Sequence, residues 1–316
     1  MSIERLGYIC RNMTTFTAQG AFDEGAFRQY LQRFVNSEIG IFVASSGTGV
    51  GQALTWEELG RLYRSAVECC GGKIMVGANI PEQYTAKLTI EHALLAVECK
   101  VDIVNVYGPD GRHAFRPTDE EYVAFFDAVL AAVKAPVSLC PNPTIGYTPS
   151  PRVLASIADR HSNVSTIVLT GHYLDDYFLA LRDAMSRDDV KVFATEPGSF
   201  NTLALGAAGL AGNLAGVIPK TYRRYLDAFQ EGRIEDAAQE YACIRRLMGF
   251  VAENWPGGVP RWVMMYLREF KQPGGEGKLP GPYIHWPDSE YVRFREGILA
   301  LNVPEIEESA KIAGLL

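Results

Sequence analysis

Three side chains that could move protons or polarise a carbonyl group stand where apolar segments of this 316-residue chain end. Tyr107 could donate a hydrogen bond to an oxyanion, and His172 carries an imidazole, which ordinarily titrates near neutrality and suits general acid or base catalysis. Glu196 is the best-placed carboxylate, able to accept a proton or to orient a substrate hydroxyl. We therefore predict that His172, Glu196 and Tyr107 are catalytic.

A second group of residues is suited to holding a small carboxylate. The turn at residues 46–48 is predicted to expose backbone N–H groups just before a helix, and such an arrangement binds anions. The alternative is a plain glycine-rich turn without a ligand. Arg112 could pair with a carboxylate through two parallel hydrogen bonds, unless the segment around it is only a solvated turn. The residues that this reasoning predicts to bind substrate are Ser46, Gly47, Thr48, Arg112 and Asn142.

A metal centre is not indicated by the same inventory. His172, Glu196 and Asp110 could in principle hold a divalent cation, but no H-x-H or H-x-x-x-H spacing supports this. The six cysteines show no paired zinc-type spacing. We predict neither a metal nor a cofactor.

The composition excludes several other classes of protein. With 30 Lys and Arg against 37 Asp and Glu, the formal charge is −7, which argues against a nucleic-acid binder or a protein of anionic membrane surfaces. No apolar run reaches the roughly 18 residues of a membrane span, and residues 1–5 do not resemble a secretion signal. We expect a cytoplasmic protein whose partner is a small-molecule carboxylate, with no nucleic acid and no membrane.

The elements that must position these side chains alternate along the chain. Eight short β-branched segments are each followed by an amphipathic stretch, and residues 55–58 and 118–121 form helix-start capping boxes. Eight such repeats predict an α/β fold, a (β/α)8 TIM barrel over residues 1–230, rather than an open doubly wound sheet. The predicted strands are Gly7–Cys10, Gly40–Ala44, Lys73–Ala78, Asp102–Val106, Val137–Cys140, Ser165–Leu169, Val190–Ala194 and Gly209–Leu214.

The rest of the chain, residues 231–316, has no strand pattern. Helical periodicity covers residues 234–253 and 259–270, a Pro/Gly-rich loop follows at 273–287, and a final helix is predicted at 289–301. We predict a C-terminal helical extension that packs on the barrel.

Several motifs at the predicted strand ends resemble those of the dihydrodipicolinate synthase/N-acetylneuraminate lyase family, with spacing kept over about residues 5–300. The resemblance implies the barrel fold and, since family members are commonly homotetramers, a homotetramer or homodimer. The motifs are MTTF at 13–16, SGTGV at 46–50, LTWEE at 54–58, LCPNP at 139–143 and ATE at 194–196.

The residues that the resemblance assigns to chemistry differ here. Family members form a Schiff base between a 2-oxo acid and a strand-6 lysine, and Val168 stands at that position, where no imine can form. The proton-relay tyrosine falls at Cys140. Thr170, by contrast, keeps a position that lines the substrate site in neuraminate-lyase-like members, so the resemblance adds it to the predicted substrate-binding residues. The first threonine of the loop falls at Gly47, its glutamate at Val50, and the family arginine near Ile145.

No other lysine is well placed to replace the missing one. None occurs between Lys134 and Lys191, and Lys220, which opens the last barrel helix, is expected to point outward. Two functions stay open. One is a lyase that performs aldol cleavage or hydration/dehydration of a carboxylated, 2-oxo-acid-like substrate without a lysine imine. The other is a non-catalytic ligand-binding or regulatory barrel.

Overall fold

Eight parallel strands close into a barrel in the computed structural model, which describes residues 5–111, 115–170, 175–196, 199–255, 258–281, 283 and 286–316. Each strand pairs with its neighbour in sequence, and the ring closes where Gly7 of the first strand lies opposite Gly209 of the last. The (β/α)8 prediction is confirmed. The strands are β1 (Gly7–Arg11), β2 (Gly40–Val43), β3 (Val76–Asn79), β4 (Ile103–Tyr107), β5 (Val137–Cys140), β6 (Val164–Val168), β7 (Lys191–Thr195) and β8 (Gly209–Gly212).

Helices cover the outside of the barrel and continue beyond it. Eight of them alternate with the strands, and the last of these ends at Gln230. They are α1 (Glu24–Asn36), α2 (Trp56–Cys70), α3 (Ala86–Glu98), α4 (Asp119–Ala132), α5 (Pro151–Arg160), α6 (Asp175–Ala184), α7 (Ser199–Ala204) and α8 (Pro219–Gln230). The C-terminal helices are α9 (Ile234–Asn254), α10 (Val259–Glu269), α11 (Asp288–Leu299) and α12 (Pro304–Ala313).

Local sequence signals explain where several barrel helices begin. Thr55 and Thr118 each accept a hydrogen bond from the backbone N–H three residues on, and the glutamate at that position bonds back to the cap, so both predicted capping boxes are present. Asp23 and Ser150 cap α1 and α5 in the simpler way, through one side-chain oxygen. These caps fix where each βα loop ends, and thus the shape of the barrel mouth.

The core has an inner and an outer layer. Inside the ring, Ile9, Phe42, Ile103, Val168 and Phe193 pack together with other apolar side chains, while a much larger cluster fills the space between strands and helices. Side chains on successive strand residues point alternately into these two layers. This alternation decides which polar residues can reach the mouth.

Two local predictions differ from the structure. The third strand begins at Val76, because Lys73 and Ile74 still bond to the Cys70 carbonyl in the turn that ends α2. Helix α12 was not predicted; its Glu305 carboxylate accepts a hydrogen bond of 2.7 Å from the Thr221 N–H, which ties the extension to the barrel helix α8. Within the described ranges, no helix is long and apolar enough to cross a membrane.

Candidate active site

An arginine crosses the barrel interior at its carboxyl-terminal mouth. Arg11 is the last residue of β1, and its Nη2 donates a hydrogen bond to Sγ of Cys140, 3.5 Å away on β5. These two strands are four places apart in a ring of eight, so the side chain reaches the opposite wall. Among the described residues, no carboxylate comes within ion-pair distance of Arg11. The mouth therefore contains a permanent positive charge.

Tyr107, at the end of β4, is a buried neighbour of this guanidinium. Its hydroxyl donates to Oδ1 of Asn79 at 3.1 Å and also interacts with Arg11. Burial, with the nearby Cys140 thiol, raises the pKa of Tyr107 well above its ordinary value. The phenol therefore stays protonated at neutral pH and can serve as a hydrogen-bond donor.

A polar layer lies one step deeper in the same half of the barrel. Asn79, Asn105 and Ser138 are fully buried and stand side by side on β3, β4 and β5. Nδ2 of Asn105 donates to Oδ1 of Asn79 at 2.7 Å. Nδ2 of Asn79, Oδ1 of Asn105 and Oγ of Ser138, however, have no hydrogen-bond partner among the described residues. Buried polar groups are ordinarily paired. This layer therefore offers unpaired hydrogen-bonding groups below the Arg11 side chain.

Cys140 and Thr170 form the wall beside Arg11. Sγ of Cys140 is 3.9 Å from the Thr170 hydroxyl, which donates to the Pro141 carbonyl at 3.1 Å. Burial raises the pKa of the Cys140 thiol, while Arg11 opposes that shift. Cys140 therefore contributes an uncharged thiol to the wall of the site at neutral pH.

The lysines of the chain all lie elsewhere. Val168, on β6, faces the barrel interior in the apolar inner layer. All nine lysines are exposed, and Lys220 points outward as expected, 2.7 Å from the carboxylate of Glu308. Among the described residues, the cation found in the mouth is therefore an arginine from β1.

The turn at residues 46–48 stands at the rim, beside a carboxylate that sequence reasoning missed. The Ser46 hydroxyl donates to the carboxylate of half-buried Glu82, which follows β3. Thr48 is buried, whereas a Cβ placed on Gly47 would meet nothing within 4 Å. The turn is open to a ligand, but its hydroxyl is already engaged by a negative group.

Glu196 does not face the mouth, which corrects the expectation that it is the mouth carboxylate. Phe193 and Thr195 of β7 point inward, so the next residue points outward. Its Oε1 accepts hydrogen bonds from the hydroxyls of Tyr8 and Tyr222, the latter at 2.8 Å, and from the Leu214 N–H at 3.3 Å.

Burial raises the pKa of Glu196, although these three donors oppose the shift. Its carboxyl group lies behind β8, so close to the strand that a Cβ built on Gly212 would fall 1.9 Å from its Cδ. Glu196 is thus a buried link between β7, β1 and α8.

The remaining predicted residues divide into two groups. Asn142 uses its side-chain oxygen to accept from the Thr144 N–H at 3.1 Å, which caps the short turn after β5. Arg112 and His172 lie outside the described residues, so the positions of these two predicted side chains are not part of this geometry.

Within the described part of the chain, no group of three His, Cys, Asp or Glu residues forms a metal-binding cluster.

Sequence reasoning missed Arg11 as well as Glu82. Arg11 directly follows the predicted strand Gly7–Cys10, and Glu82 lies three residues after the end of β3. Both positions are typical of functional residues in such barrels, because the loops after the strands carry the chemistry. The charge of Arg11 and Glu82, close to apolar strand segments, was the sequence signal that could have identified them as site residues.

Known proteins resemble this chain over most of its length. The sequence matches the Dihydrodipicolinate synthetase family over residues 5–269. It is 26% identical to 4-hydroxy-tetrahydrodipicolinate synthase 1 of Streptomyces coelicolor over 257 residues, which are 81% of this chain and 80% of that protein. It is also 26% identical to an uncharacterized DapA-like lyase of Rhizobium meliloti over 300 residues, 92% of this chain and 94% of the relative.

Solved structures show the same architecture. The crystal structure of a dihydrodipicolinate synthase from Bacillus anthracis has a TM-score of 0.84 with this chain at 20% identity, and the match covers 96% of this chain and 99% of that one. At this level of identity, the likeness concerns the fold.

Proposed function

The chain belongs to the dihydrodipicolinate synthetase family, and we propose that it is a lyase that cleaves, hydrates or dehydrates a small 2-oxo-acid-like carboxylate without a lysine imine. The observation that carries the proposal is the guanidinium of Arg11 in the mouth, beside Cys140 and Tyr107 and without a described carboxylate partner. A substrate carboxylate or a developing oxyanion would supply the negative charge that this cation lacks.

Both reaction types place negative charge on the same atom. In aldol cleavage, a base takes the proton of the substrate hydroxyl, the C–C bond breaks, and its electron pair becomes an enolate. In dehydration, a base removes the proton next to the carbonyl, which gives an enolate before hydroxide leaves. A family lysine would accept this electron density as an imine; here Arg11 would hydrogen-bond to the enolate oxygen. The exposure of all nine lysines supports this route.

We assign the other roles around that cation. Tyr107, which links Arg11 to Asn79, positions the guanidinium and remains protonated as a donor. Glu82 is the carboxylate at the rim that can take a proton, and His172 remains our proposed second proton carrier. The proposed substrate contacts are the turn at Ser46, Gly47 and Thr48, together with Arg112, Asn142 and Thr170. The homotetramer or homodimer implied by the family stays a prediction.

The first test separates imine chemistry from its alternative. The protein is incubated with pyruvate and a panel of 2-oxo acids in the presence of borohydride, and its intact mass is measured. We expect no increase in mass, because no lysine reaches the interior. A trapped covalent adduct would overturn the imine-free mechanism.

The second test concerns Arg11 itself. Turnover of the same acids, and of their aldol and hydroxy derivatives, is followed by proton NMR for the wild type, Arg11→Gln and the surface control Arg152→Gln. We expect Arg11→Gln to lower kcat/KM by about 100-fold or more, the usual effect of removing an oxyanion donor, with no change in the control. Equal activity in Arg11→Gln would refute its role. Binding that depends on Arg11 without any turnover would favour the non-catalytic barrel.

A further inference from the structure

A cavity lies in the C-terminal extension, between helix α10 and the segment that leads into α11. Its volume is about 210 Å³, and it shares no lining residue with the barrel mouth. Its floor is apolar, since Met264 and Met265 are buried there, and its walls include the rings of Tyr283, Trp286 and Tyr291. The cavity is therefore a small aromatic pocket.

The guanidinium of Arg261, in this pocket, has no anionic partner among the residues that the structure describes. The guanidinium of Arg261 lies 5.4 Å from the centre of the Tyr283 ring and 5.5 Å from that of Trp286. Its Nε is buried without a hydrogen-bond partner, and no described carboxylate forms an ion pair with it. A buried guanidinium N–H ordinarily finds an acceptor. Arg261 is thus held beside the two rings while its Nε–H has no acceptor among the described residues.

The neighbouring arginine differs in this respect. Arg268 also lines the pocket, but it lies 2.7 Å from a carboxylate oxygen of Asp288 and stacks over Tyr291 at 4.1 Å. Lys278 adds a positive charge and Glu276 a negative one, and both side chains are exposed. The charge left for a ligand is thus mainly that of Arg261.

We propose that this pocket binds a small organic carboxylate with a flat apolar body. The carboxylate would bond to Arg261, and the body would lie on Met264 between the aromatic walls. Size agrees with this class of ligand, because a buried apolar cavity of about 150 Å³ already takes up benzene. The ligand differs from the proposed mouth substrate in having an apolar body, so the two sites recognise different acids.

The pocket has a direct structural connection to the barrel. Lys278 donates its backbone N–H to the Thr17 carbonyl at 3.0 Å, and a Cβ on Gly274 would fall 2.4 Å from Cγ2 of Thr15. Thus the wall of the pocket packs on the loop that follows β1, the strand that ends in Arg11. The site is separate from the mouth in its lining and adjacent to it through this loop.

Benzoate is the probe that tests the site, with benzyl alcohol as its uncharged analogue. Binding to the full chain is measured by titration calorimetry for the wild type, Arg261→Gln and the surface control Arg152→Gln. We expect one benzoate per chain, affinity about tenfold lower in Arg261→Gln, and no change in the control, since a charge-assisted hydrogen bond is lost. Benzyl alcohol should bind the wild type as weakly as benzoate binds Arg261→Gln.

Further variants keep the test decisive. Lys278→Gln changes only an exposed side chain, so it should fold normally and weaken benzoate binding by about two- to threefold even if Arg261→Gln fails to fold. Arg11→Gln should leave benzoate binding unchanged, and pyruvate should not displace benzoate. Absence of benzoate binding, wild-type affinity in a folded Arg261→Gln protein, wild-type affinity in Lys278→Gln, or loss of binding in Arg11→Gln would each overturn the proposal.

Discussion

Replacing Glu196 separates a structural carboxylate from a catalytic one. Its Oε1 accepts three hydrogen bonds, from Tyr8, Tyr222 and the Leu214 N–H, in a buried space between strands and helix. Glu196→Gln keeps an acceptor oxygen there and removes only the ability to ionise. Glu196→Ala leaves all three donors unpaired.

The expected size of the alanine effect follows from those donors. Each buried donor that loses its acceptor costs roughly 1–2 kcal/mol, so Glu196→Ala should lower the free energy of unfolding by about 3–6 kcal/mol. For a chain of this length, that corresponds to a fall in Tm of about 5–9 °C. Glu196→Gln should change the free energy of unfolding by less than about 1 kcal/mol at pH 4.5 or below.

The effect of pH has a definite sign. Burial raises the pKa of Glu196 above 4.5 in the folded chain, so the folded state binds the proton more tightly than the unfolded state. The stability contributed by this group is complete below pH 4.5 and is lost as the pH rises through the folded-state pKa. A tenfold difference in proton affinity between the two states corresponds to about 1.4 kcal/mol of unfolding free energy, and Glu196→Gln abolishes this loss. The wild type should therefore weaken relative to Glu196→Gln between pH 4.5 and 8.

Urea unfolding at several pH values, combined with turnover, checks this reasoning. Glu82→Gln, at the rim of the mouth, is the matched control: it should lose activity and keep its stability. The reasoning is refuted if Glu196→Ala unfolds within about 1 kcal/mol of the wild type, or if the difference between wild type and Glu196→Gln is independent of pH. A folded Glu196→Gln protein without turnover would restore a catalytic role to this residue.

Two further predictions concern packing and thiol chemistry. Gly212→Ala should lower the free energy of unfolding, measured with urea, by about 3 kcal/mol or more, because the new Cβ would fall 1.9 Å from Cδ of Glu196. Gly249→Ala is the matched control: it lies inside α9, its Cβ would meet nothing within 4 Å, and it should raise the free energy of unfolding by up to about 1 kcal/mol. Because burial raises the Cys140 pKa above 9.0, the rate of its alkylation by iodoacetamide in the folded protein, measured by peptide mass mapping, should still be rising at pH 9; a rate that levels off below pH 9 would contradict this.

The fold could be predicted from the sequence because its signals are local. Capping boxes at Thr55 and Thr118 and the repeated alternation of apolar strands with amphipathic helices define the barrel without any long-range information. Helix α12 was missed although Pro304 at its first position is itself a helix-start signal, as Pro151 is in α5.

The site was harder to predict, because both faces of a barrel strand are buried. In β7, the apolar neighbours of Glu196 allow either orientation, and only the register set by Phe193 decides that the carboxylate points outward. Arg11 was overlooked for a related reason. A charged residue directly after an apolar segment usually marks the end of a strand in solvent, and here it is held inside by contacts with β5 and β4.

The side chain that spans the ring also sets how deep a guest can go. Arg11 extends from one wall of the barrel to Cys140 on the opposite wall, and so forms a floor across the opening. With a shorter residue at this position, a guest could reach the buried polar layer of Asn79 and Ser138. Arg11 therefore determines both how large a guest can enter the barrel and which charge the guest must carry. A substitution at this position changes both properties together.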